Sequence, residues 1–127
     1  MTDEGPMMAG SATVFVVSDI TASLAYYRDV LGFEVTFEYG QPPSYACLCR
    51  DEVGLHLLAA AATKRLPGQG GLCVFVRDVD GIYAEVSGRG ARLLNQPEDR
   101  DYGMRDFDVV DADGNQVTFG MGTGAAA

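Results

Sequence analysis

A chain of 127 residues with 47% apolar and 21% charged positions has the composition of one globular domain, long enough to bury roughly two-thirds of its unfolded surface. That excludes a multidomain machine and a disordered tail. Nine Lys and Arg against 18 Asp and Glu leave a formal charge of −9 and an isoelectric point near 4.3, which disfavours nucleic acid and anionic membranes as partners and favours cationic ligands.

Residues 1–10 lack periodicity and read as a flexible N-terminus, with Asp3 and Glu4 where a secretory leader would be basic. A single domain is expected over 11–121, followed by a flexible end over 122–127. The longest apolar run, 57–62, is too short to span a membrane. Cys47, Cys49 and Cys73 are odd in number, and the first two stand two apart on one strand, where they do not bridge. A reducing, cytoplasmic location is therefore expected.

Residues 14–19, Val-Phe-Val-Val-Ser-Asp, read as an apolar strand stopped by a helix N-cap at Asp19. Ile20, Leu24, Tyr27 and Leu31 then carry a helical spacing that ends at Gly32, a residue suited to the left-handed position past a helix. On that helix one of Tyr26 and Tyr27 is expected in the core and the other at the surface. Strands follow over 33–39, 45–50 and 54–59, separated by turns at 41–44 and 50–54. The Gly-rich stretch 64–71, with Pro67, reads as a linker.

The pattern then repeats. Residues 74–78, Val-Phe-Val-Arg-Asp, end at a second N-cap, Asp78, 59 positions after Asp19. Val79, Ile82, Tyr83 and Val86 are spaced as a helix that stops at Gly88 or Gly90, and strands are predicted over 91–95, 105–110 and 116–120. Gly103 and Gly114 read as turn residues. Each half is thus strand, helix, strand, strand, strand. A module that cannot cover its own sheet must pair with its twin, so the predicted fold is α+β: two βαβββ modules, about 11–63 and 71–121, forming an eight-stranded mixed split sheet, an incomplete barrel around a cleft with the helices outside.

Three segments are similar to a known family: residues 16–35 (Val-Val-Ser-Asp-Ile-Thr-Ala-Ser-Leu-Ala-Tyr-Tyr-Arg-Asp-Val-Leu-Gly-Phe-Glu-Val), 76–86, and 102–119 with its Asp-Ala-Asp-Gly-Asn turn. They resemble the vicinal oxygen chelate superfamily of glyoxalases, ring-cleaving dioxygenases and bleomycin-resistance proteins. In metal-dependent members of that family His, Gln or Glu side chains at four matched strand positions hold one divalent ion. The matching positions here are Ala12, His56, Gly71 and Thr118. One good donor in four does not make a first-row metal site, so no catalytic metal and no cofactor are expected. His56, the chain's one histidine, keeps three readings: a hydrogen-bonded polar residue in the cleft, a ligand contact, or a metal ligand completed by a cysteine.

If those four positions mark the inward face, alternation assigns its neighbours. Val14, Val16, Cys47, Cys49, Leu58, Cys73, Phe75 and Gln116 then face the cleft, and Phe15 and Val17 pack under the helix. Phe107 and Val109 suit the helix side, which turns Asp106 and Asp108 inward; a solvated sheet face is the competing reading of that pair. Phe37, Tyr39, Tyr45 and Tyr102 supply aromatic walls in a chain without Trp. No phosphate loop, nucleophile elbow or other catalytic arrangement is present.

The segment Tyr-Gly-Met-Arg-Asp-Phe at 102–107, leading to a last strand without Glu, is similar to bleomycin-resistance proteins. That resemblance implies a homodimer that sequesters a bulky cationic or aromatic small molecule. The competing expectation is a lyase, isomerase or dioxygenase of the same superfamily, metal-dependent or metal-free.

Overall fold

The computed structural model describes residues 5–124. The first strand, β1 (Thr13–Val17), leads into helix α1 (Ile20–Ala25), whose last part widens to a π turn over Tyr26–Val30. Strands β2 (Glu34–Tyr39), β3 (Tyr45–Arg50) and β4 (Val53–Ala59) complete the first half. The second half has β5 (Gly71–Phe75), α2 (Val79–Gly88), β6 (Arg92–Leu93), β7 (Glu98–Asp99), β8 (Met104–Val110) and β9 (Gln116–Gly122).

Both halves are wired alike. The first sheet has the order β1-β4-β3-β2 and the second β5-β9-β8-β6, with β1 parallel to β4 and β5 parallel to β9. The fold is therefore α+β with two mixed sheets and no closed barrel, as the sequence repeat implies. Among the described residues it has nine strands and not eight, because β7 pairs with β8 through Glu98–Asp106 and Asp99–Arg105. The strand expected over 91–95 shrinks to two residues. Of the ends expected to be flexible, 1–4 and 125–127 lie outside the described residues; residues 5–10 are exposed and belong to no helix or strand, and β9 runs on to Gly122. Among the described residues no helix is long and apolar enough to cross a membrane.

The two caps work as the sequence suggests. Asp19 accepts the N–H of Ala22 at 3.1 Å and Asp78 that of Gly81 at 2.9 Å. Gly32 follows the first helix at φ 78°, and a Cβ there would stand 2.6 Å from Arg50 Nη1, so glycine both turns the chain and admits that guanidinium. The core joins the helix-facing sides of both sheets: Phe15, Val17, Leu55 and Leu57 from the first and Phe107, Val109, Val117 and Phe119 from the second, with Ile20, Leu24, Tyr27, Val79 and Val86 from the helices. Each such side chain stabilises the fold by about 1.5–3 kcal/mol. Val16, on the other face of β1, is buried as well.

Polar contacts fasten one half to the other. The turn 111–115 is folded around Asp111, whose Oδ1 accepts the N–H groups of Asp113, Gly114 and Asn115 at 2.9, 3.0 and 2.9 Å. Its Oδ2 accepts from Tyr27 Oη and Asn115 Nδ2, each at 2.9 Å. Asn115 Nδ2 also donates to the Val16 carbonyl, its Oδ1 accepts the Gly70 N–H, and Asp113 accepts the N–H and hydroxyl of Ser18. Burial, then the Asp111 charge, raises the pKa of the Tyr27 phenol far above its usual value. Tyr26 is half-buried and not free at the surface: it donates to the Val110 carbonyl at 2.8 Å and accepts the Arg92 N–H at 3.1 Å.

The opposite junction carries an ion pair. Arg50 donates from both terminal nitrogens to Glu85, at 2.7 and 2.9 Å, and also to the Leu31 carbonyl. The Arg50 hydrogen bond holds the Glu85 carboxyl below the usual carboxylate range. A carboxylate depressed in the folded state stabilises above its unfolded pKa and loses that contribution as pH falls through the folded one. Stability should thus decline below about pH 4.5, and Glu85→Gln should flatten that limb by about 1 kcal/mol in urea melts across pH 2–6. An unchanged limb would assign the acid sensitivity to other carboxylates.

Candidate functional site

Strand register settles which predicted site residues stand together. On the first sheet Val14, His56, Cys47 and Phe37 form one cross-strand row, and Val16, Leu58, Tyr45 and Tyr39 the next. Cys49 pairs with Gly54 and Glu34 in a third row of the same face. On the second sheet Cys73, Thr118 and Asp108 form a row, with Phe75, Gly120 and Asp106 beside it. The predicted residues therefore make two clusters, one on each sheet, on the faces turned away from the helices. The register puts Val14 beside His56 and Cys73 beside Thr118, so Ala12, just ahead of β1, and Gly71, opposite Gln116, each stand one pair away from the donor that the resemblance matched to them.

Both faces are open. Phe37 is 53% exposed, Tyr39 65%, Phe75 76% and Tyr102 62%. Cys47 and Cys49 are half-buried and Cys73 is exposed. Desolvation first, then the charges of Asp106 and Asp108, raise the Cys73 thiol's pKa, which disfavours a nucleophilic thiolate there. His56 is held by its neighbour: Tyr45 Oη lies 2.7 Å from Nδ1, with the two rings edge to face at 5.4 Å.

The two carboxylates differ. Asp106, 8% exposed, accepts Arg100 Nε at 2.7 Å and Tyr102 Oη at 2.9 Å, so its charge is already neutralised. Of the two carboxylates that alternation turns inward, Asp106 is therefore already paired within the chain. Sequence alternation placed Asp106 on the right face but could not show Arg100, which arrives through the hairpin of β7 and β8. The legible signal for that hairpin was Gly103, whose turn sets the Arg100 N–H 2.6 Å from the Met104 carbonyl. Asp108 accepts only from neutral groups: Asn95 Nδ2 at 2.8 Å, Gln116 Nε2 at 3.1 Å and Thr118 Oγ1 at 2.5 Å. No cation pairs with it among the described residues. Asn95 was the partner that sequence reasoning missed; it also accepts the Asp108 N–H at 2.7 Å.

Among the described residues no three His, Cys, Asp or Glu side chains gather as a metal site would require. A concavity of about 600 Å³ lies between the β3–β4 turn and the start of α2 and takes only Phe75 from the predicted set. The arrangement on the two faces can bind by stacking and through carboxylates that no cation of the chain neutralises among the described residues, Asp108 on the second sheet and Glu34 at the edge of the first.

None of the curated proteins compared matches the chain. Solved structures do. A member of the glyoxalase/bleomycin resistance protein/dioxygenase superfamily from Sphaerobacter thermophilus is 26% identical, with a TM-score of 0.77 over 91% of this chain and 99% of its own. The bleomycin-binding protein of Streptomyces verticillus, solved with copper(II)-bleomycin, is 22% identical, with a TM-score of 0.72 over 91% of this chain and 97% of its own. A lactoylglutathione lyase from Agrobacterium tumefaciens is 22% identical, with a TM-score of 0.75 over 94% and 97%. A family model matches residues 11–119, and on that match the chain belongs to the Glyoxalase/Bleomycin resistance protein/Dioxygenase superfamily.

Proposed function

We propose that the chain binds and sequesters a small cationic molecule with aromatic character, in a cleft made when the open sheet faces of two copies meet. Asp108 carries this reading. It is a half-buried carboxylate held in place by three neutral donors and, among the described residues, lacking a counter-ion, on the sheet face whose next row carries the exposed ring of Phe75. The similarity to a bleomycin-binding protein agrees with a cationic drug as ligand and with a role in antibiotic resistance. Phe37, Tyr39, Phe75 and Tyr102 are exposed rings that a second copy would cover, which supports a symmetric homodimer. A cytoplasmic location belongs to the same proposal.

A thermal-shift panel of cationic antibiotics, with neutral and anionic analogues of similar size, tests it. Cations should raise the melting temperature and the analogues should not. Sedimentation should show a dimer at micromolar concentration, and Phe75→Asp should shift it toward monomer about tenfold or more. A wild-type monomer, or stabilisation by anions alone, would overturn the reading.

The second reading, a lyase, isomerase or dioxygenase, draws on the His56–Tyr45 pair and on the similarity to a lactoylglutathione lyase. There the imidazole would take a proton from bound substrate. Turnover of an α-oxo thiohemiacetal that is lost in His56→Ala would favour this second reading over the first.

A further inference from the structure

The two halves are joined at two equivalent places, and only one of them is filled. Ser18 and Asp19 before α1 correspond to Arg77 and Asp78 before α2. At the first junction the five-residue turn 111–115 between β8 and β9 reaches Ser18 through Asp113 and leaves a concavity of about 230 Å³. At the second the equivalent turn between β3 and β4 has only two residues, Asp51 and Glu52, and the concavity is about 600 Å³. Its lining includes the buried side chains of Phe33, Val74 and Phe119, so an apolar floor is left where the twin junction has a plug.

Charges of opposite sign line the separate walls. Arg77 stands on the β5–α2 connection, Asp51 and Glu52 on the β3–β4 turn, and among the described residues none of the three is in an ion pair. Arg50 is committed to Glu85, and Asp78 to the Gly81 N–H. A cavity of this volume lies in the range of small-ligand sites and exceeds what one amino acid fills. We propose that this open junction is a second ligand site, meeting the sheet faces only at Phe75, for an apolar zwitterion of dipeptide size. Its carboxylate would meet Arg77, its ammonium would meet Asp51 and Glu52, and its side chains would cover Phe33, Val74 and Phe119.

The test uses leucyl-phenylalanine, its N-acetyl form and its C-terminal amide, titrated into the full chain and followed by amide chemical shifts. The free dipeptide should bind about tenfold more tightly than either capped form and shift residues 51–53 and 76–82. Arg77→Ala should weaken the free dipeptide but not the amide, and Asp51→Asn with Glu52→Gln should weaken the free dipeptide but not the N-acetyl form. These are exposed positions, and unchanged melting curves will confirm that the variants fold. Equal affinity for all three peptides would overturn the proposal. So would shifts confined to the sheet faces, no binding at millimolar concentration, or shifts at the junction that track self-association of the chain and not added peptide.

Discussion

Asp111→Ala should destabilise the protein by about 4 kcal/mol, enough to lower the melting temperature by roughly 10 °C or more. The substitution leaves Tyr27 Oη, one Asn115 amide proton and the N–H groups of residues 113–115 without their acceptor, in a place where Asp111 is 4% exposed. Each orphaned donor costs about 1–3 kcal/mol when water cannot reach it, and part of that returns as the turn relaxes. Asp111→Asn keeps one acceptor oxygen and should lose about half as much. Urea unfolding measures both. A loss under about 1 kcal/mol for the alanine variant would mean that the turn re-forms around water and is not the fastening between the halves.

Gly68→Ala should be nearly as damaging, by about 3 kcal/mol, although the sequence shows Gly68 only as part of a linker. Its φ is 80°, and a Cβ there would stand 2.0 Å from the Asp113 carbonyl oxygen. The Gly68 N–H meanwhile donates to the Val16 carbonyl at 3.2 Å, so the linker cannot swing away without breaking a contact to β1. Left-handed backbone strain and the clash therefore add. Gly71→Ala is the control, since nothing lies within 4 Å of its added Cβ. Equal melting temperatures for the two alanine variants would show that the linker is loosely held.

The wiring of the fold was legible because the chain states it twice. Two capping aspartates at equal places in two apolar strands led to two equivalent sheets, and alternation put Phe107 and Val109 in the core and Asp106 and Asp108 on the other face. What alternation reports is a face, and the partners on that face come from elsewhere in the chain. That is why Arg100 on Asp106 and Asn95 on Asp108 were missed, and why Tyr26 was allowed a surface position. The Asp-Ala-Asp-Gly-Asn run read as a turn from its residue types alone. Its larger role, gripping Tyr27, Val16, Ser18 and Gly70, depends on long-range packing that no local spacing encodes. β7 escaped because two residues carry no periodicity.

The proposed use of the open faces rests on a difference between two neighbouring carboxylates, and that difference can be measured. Calorimetric titration of the tightest cation from the panel into wild type, Asp106→Asn and Asp108→Asn, with folding checked by melting curves, compares them directly. The account predicts that Asp108→Asn weakens binding about tenfold, roughly 1.4 kcal/mol, while Asp106→Asn, whose charge Arg100 already balances, weakens it less. Unchanged affinity in Asp108→Asn would contradict a cation site at this carboxylate and leave the chain's acidity unconnected to its ligand.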